Sequence, residues 1–92
     1  MTDLGPILDE SADHVELLES RYPQGFPADR NGVRLGIPSL EDELREVWYE
    51  WNLNKRRLPS AEGTLALEGE LFDMLAVAVM IVKGIRGAHP RG

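Results

Sequence analysis

Residues 38–51 read PSLEDELREVWYEW, and this stretch decides the fold. Leu40, Leu44, Val47, Trp48 and Trp51 recur at intervals of three and four, the period of one helix face. Pro38-Ser39 before Leu40-Glu41-Asp42 is a start signal: the Ser39 hydroxyl is placed to cap exposed amides, and Asp42 three positions later approximates a capping box. Two early acids suit the positive helix end. The apolar stripe stops near Asn52 to Asn54, so a helix is expected over residues 39–54.

C-terminal to it, Lys55-Arg56-Arg57-Leu58-Pro59-Ser60 is basic, then broken by proline, and with Gly63 reads as an interhelical loop. A further helix is expected over 64–86, with Gly84 and Gly87 as stop positions and residues 87–92 as a mobile tail. N-terminal to it, Leu4, Leu8, Val15 and Leu18, with Ser11 among them, keep helical spacing, and Pro6 suits a first turn, so the first helix falls within 1–22. Residues 23–38 contain Pro23, Gly25, Pro27, Gly32, Gly36 and Pro38 and read as a long connection. The expectation is one all-α domain over 1–92, a bundle of about three helices per chain. Within the last helix, Met74 to Val82 is apolar around its whole circumference, which a three-helix monomer cannot easily cover. That predicts a homo-oligomer, a dimer or tetramer.

A chain of 92 residues has room for one domain, and 42% apolar with 28% charged residues suits a globular one. Sixteen acidic against ten basic residues give a formal charge of −6, which disfavours binding to duplex nucleic acid. It does not exclude a phosphorylated small molecule, because a bound cation reverses the local field. With no cysteine there is no disulfide, thiolate nucleophile or zinc-thiolate site, and MTDLGPILDE lacks the basic and apolar regions of a signal peptide. A cytoplasmic setting is expected. The apolar run from Met74 to Val82 is nine residues, short of the ~20 that cross a bilayer, so no membrane partner is expected. Gly-rich phosphate loops, Ser-His-Asp arrangements and zinc spacings are absent from the sequence.

Four acids carry the chemistry. Glu43 and Glu46 stand three positions apart on the second helix, and Glu70 and Asp73 three apart on the third, so each pair shares a helix face. On antiparallel neighbours the pairs converge into one oxygen-rich site of the kind that hard cations such as Mg2+ or Mn2+ prefer. Acidic pairs at this spacing are commonly just solvated helix residues. Against that, like charges at helical spacing cost helix stability, and Asp73 interrupts a run that is otherwise apolar from Leu71 to Val82.

Asp42-Glu43-Leu44-Arg45-Glu46-Val47 and Glu70-Leu71-Phe72-Asp73-Met74-Leu75, with 23 residues between Glu46 and Glu70, resemble the signature of the MazG-like all-alpha nucleoside triphosphate pyrophosphohydrolases. The resemblance runs roughly from Ile37 to Ile85. It implies an oligomeric helical bundle and magnesium-dependent cleavage of a ribo- or deoxyribonucleoside triphosphate to the monophosphate and pyrophosphate. It also implies that Glu43, Glu46, Glu70 and Asp73 are the metal-binding, catalytic residues. The basic, asparagine-rich motif that longer members carry after the third helix is missing.

Weaker candidates surround the four. Glu50, seven positions after Glu43, suits an outer ligand or a water-orienting base as well as it suits a solvated acid. Lys55, Arg56 and Arg57 offer phosphate contacts, although a basic cluster after a helix more often complements its negative end. Trp48 and Trp51 offer a stacking surface for a base, against the plainer reading of core or subunit packing. His14 and His89 read as incidental, since neither forms the Glu-x-x-His pair of di-iron bundles. Two competing readings need no turnover: a non-catalytic helical interaction module, and a nucleotide sensor that keeps the metal site.

Overall fold

The computed structural model describes residues 3–54 and 61–88, which form three α-helices: α1 (Leu4–Arg21), α2 (Ile37–Asn54) and α3 (Ala61–Ala88). The basic interhelical segment 55–60 and the tail from His89 to Gly92 lie outside the described residues. The third helix is the hub. It packs against both α1 and α2, whereas α1 and α2 make no contact with each other among the described residues. Leu40 of α2 lies with Val77 and Ile81, and the acids of α2 lie with Glu70 and Asp73, so α2 and α3 are antiparallel. On the other side His14 meets Asp73 and Glu19 meets Lys83, so α1 runs parallel to α3.

Both long helices start earlier than their sequence signals suggest. Helix α2 begins at Ile37, and the Gly36 carbonyl accepts the first helical bond from the Leu40 amide at 3.0 Å. Ser39 therefore sits inside the first turn rather than capping it, and Pro38, whose missing N–H costs nothing there, is helical. Helix α3 begins at Ala61 and continues through Gly84 and Gly87 to Ala88. Glycine lowers helix propensity by about 1 kcal/mol without forbidding the helix, so neither residue stops it. Helix α1 is capped by Asp3, whose carboxylate accepts from the Gly5 amide at 3.1 Å.

The connection between α1 and α2 supplies the centre of the core. Phe26, 4% exposed, inserts against Val77 and Ile81 of α3, with Leu18, Leu35, Leu40 and Met80 around them. The Asp29 carboxylate holds the loop by accepting from the Asn31 and Val33 amides at 2.8 and 2.9 Å. Gly36 has φ +100° and lies directly under the Phe26 ring, where a Cβ would come within 2.4 Å of it. That position needs glycine for both its backbone and its space.

The apolar stripe expected on α2 divides. Ser39, Leu40, Glu43, Val47 and Glu50 are the partly buried residues, whereas Leu44, Trp48 and Trp51 are exposed, the tryptophans at 57% and 41%. The helix is thus rotated so that acids, not tryptophans, turn inward. On α3, Ala76, Val77 and Ile81 are buried, while Leu71, Leu75, Val82 and Ile85 are exposed. Among the described residues no helix is long and apolar enough to cross a membrane.

Candidate metal centre

Because α2 and α3 run antiparallel, their two acidic pairs meet. One carboxylate oxygen each from Glu43, Glu46 and Glu70 can be chosen so that all three lie within 4.8 Å of one another. They open into a cleft of about 480 Å³ between the three helices. From α1 the cleft is lined by His14, Leu17, Leu18 and Arg21, and from α3 also by Asp73 and Ala76. Its size is within the range of small-molecule sites.

The charges are held together at a cost. Burial, then the adjoining Glu46 carboxylate, and then Asp73 and Glu70 push Glu43 from 4.5 to about 7. Burial and the charges of Glu46, Asp73 and Glu50 raise Glu70 as well. One oxygen of Glu43 and one of Glu70 are buried without a hydrogen-bond partner. Orphaned carboxylate oxygens among like charges are relieved by a proton or by a cation. Three hard oxygen donors around one space, with room for water, fit magnesium or manganese; acidic groups also gather at protein surfaces without any ion.

Asp73 lines the same cleft but stands outside the three-oxygen cluster. Its carboxylate is 3.3 Å from Nδ1 of His14, whose ring stacks on Phe72 with centroids 5.2 Å apart. Glu50 is half-buried behind the cluster and bears on Glu70 through its charge. Trp48 and Trp51 do not line the cleft. Lys55, Arg56 and Arg57 lie outside the described residues.

Two cleft residues were not identified from sequence. His14, read from sequence as incidental, stands beside Asp73 in the cleft, and Arg21 in the last turn of α1 brings a cation to the same cleft. The available signal was spacing, since residues 14, 18 and 21 share one helix face. What spacing lacked was the parallel packing of α1 on α3 that turns this face toward the acids. No protein family, curated protein or solved structure matches this chain.

Proposed function

We propose that the chain is a magnesium-dependent nucleoside triphosphate pyrophosphohydrolase, with the cleft between its three helices as the active site. The observation that supports this most is the convergence of Glu43, Glu46 and Glu70 at the mouth of a cleft whose far wall carries Arg21. Together with the resemblance of the two acidic motifs, it joins a cation site to an anion site in one space.

Glu43, Glu46 and Glu70 would hold a magnesium ion, which would supply neutralisation of the triphosphate charge and acidification of water. Arg21 takes non-bridging phosphate oxygens from the α1 side. Asp73, directed to His14 rather than into the cluster, is the carboxylate left to receive the proton of the attacking water, and His14 holds its orientation. Water adds at phosphorus as the phosphoanhydride bond breaks, and pyrophosphate departs with the bonding electron pair. The exposed apolar faces of α2 and α3 favour a second reading, a helical interaction module, in which the acids have no metal to hold.

Pyrophosphate release from a panel of ribo- and deoxyribonucleoside triphosphates tests the reading, with magnesium, with magnesium plus chelator, and with a Glu46→Ala, Asp73→Ala double variant. Metal-dependent release that vanishes in a folded double variant is the expected result. Magnesium-stabilised protein without release from any triphosphate would indicate a sensor, and neither stabilisation nor release would leave the interaction module.

A further inference from the structure

The connection between α1 and α2 carries the pair Asn31-Gly32, and Asn31 is the one asparagine of this chain that glycine follows; Leu53 and Lys55 follow Asn52 and Asn54. An asparagine side chain can close a five-membered ring with the next backbone nitrogen. Glycine, having no Cβ, leaves that nitrogen uncrowded. Asn31 is exposed, and its side chain has no hydrogen-bond partner among the described residues. A Cβ at Gly32 would meet nothing within 4 Å, so no neighbour screens the pair. We infer that Asn31 is a site of spontaneous deamidation, and that the turn built on Asp29 holds it closed until the loop opens locally.

The reaction needs only water. The Gly32 amide nitrogen gives its proton to solvent and bonds to Cγ of Asn31. The Cγ–Nδ2 bond then breaks, and ammonia leaves after taking up a proton. Water adds to either carbonyl of the succinimide that remains. Opening at Cγ gives aspartate, whereas opening at the main-chain carbonyl gives isoaspartate, in which the backbone runs through Cβ and Cγ. One water enters and one ammonia departs, and nothing is oxidised or reduced.

The turn governs the first step. The Gly32 N–H donates to the Asp29 carbonyl at 3.0 Å, so the attacking nitrogen is engaged. The Asp29 amide donates to the Val33 carbonyl at 2.8 Å, and the Asp29 carboxylate accepts from the Asn31 and Val33 amides. With the backbone of residues 29–33 tied in this way, the Gly32 nitrogen reaches Cγ of Asn31 only when these bonds open. The product also acts on the fold. Isoaspartate lengthens the backbone inside the turn and draws the Val33 amide away from Asp29. The turn lies between Phe26 and Gly36, whose close approach seats the Phe26 ring against Val77 and Ile81, so conversion loosens the core. None of this depends on a reaction in the acidic cleft.

The full chain, incubated in one buffer with and without urea and then digested for mass spectrometry, tests the inference, with circular dichroism showing which samples are folded. Asn31 is expected to convert at least about tenfold faster in the unfolded chain than in the folded one. In the unfolded chain it is also expected to outpace Asn52 and Asn54, whose following residues are bulky. Asp29→Ala, which removes the two bonds to the carboxylate, is expected to raise the rate of the folded chain by about tenfold. An unfolded chain that converts Asn31 no faster than Asn52 overturns the site. A folded wild-type chain that converts as fast as the unfolded one overturns the gating, whether or not Asp29→Ala folds, and a folded Asp29→Ala chain no faster than wild type does the same.

Discussion

Removing a charge from the carboxylate cluster should stabilise this protein. Glu43 goes from 4.5 in an open chain to about 7 in the fold, chiefly through burial and the adjoining Glu46. The raised value means that folding favours the protonated form. Its stabilisation is fully present below pH 4.5 and is lost as pH rises through about 7. A shift of this size corresponds to at most about 3.4 kcal/mol, and solvent reaching the partly exposed carboxyl reduces it to about 1–2 kcal/mol. Glu43→Gln keeps the shape, offers its amide to the neighbouring acids and abolishes the titration. In chelator at pH 8 the variant should therefore exceed the wild type by about 1–2 kcal/mol, or roughly 4–12 °C in midpoint for a chain of this length. At pH 4 the two should agree. Magnesium should narrow the difference at pH 8, raising the wild type by about 1.4 kcal/mol at tenfold excess over its dissociation constant and the variant by less. Urea unfolding followed by circular dichroism measures both proteins under all three conditions. A Glu43→Gln protein less stable than wild type at pH 8 without metal would refute the argument from like-charge crowding.

Gly36→Ala should destabilise the fold by about 2–4 kcal/mol, because φ +100° strains any Cβ and the Phe26 ring occupies the space it needs; urea midpoints check this. Lys83→Ala should change stability by no more than about 1 kcal/mol, since its partner Glu19 is exposed and surface ion pairs contribute little, and thermal unfolding would reveal a larger role. Arg21→Ala should raise KM for a triphosphate roughly tenfold or more with a smaller effect on kcat, if Arg21 binds phosphate oxygens before the reaction begins. Steady-state pyrophosphate release separates the two constants.

The sequence carried the helices and their order, and it placed four acids at one site, of which the structure clusters Glu43, Glu46 and Glu70 and sets Asp73 in the same cleft. It did so because a 3.6-residue period and proline-rich breaks are local properties. The rotation of α2 was not local. Periodicity alone turned Leu44, Trp48 and Trp51 inward, yet the helix faces α3 with Leu40, Glu43, Val47 and Glu50. Two faces of that helix are each partly apolar, and only the partner's surface selects between them. Phe26 was lost within a turn-rich segment because its burial depends on Gly36 leaving room and on α3 arriving beside it. His14 and Arg21 were hidden for the same reason, since their place in the cleft comes from the packing of α1, 59 residues away in sequence where His14 meets Asp73.

Among the described residues α3 is the one helix on which both α1 and α2 pack, and this has a consequence for how the chain comes to be folded. During synthesis both earlier helices leave the ribosome before the segment that holds them exists. Short helices are marginal in water on their own, so neither they nor Phe26 have a docking surface until Val77 and Ile81 have emerged. Folding therefore waits for the last third of the chain and then joins both sides of the cleft in one step. A nascent chain arrested before residue 77 should remain open to protease, and one extended past α3 should abruptly become resistant.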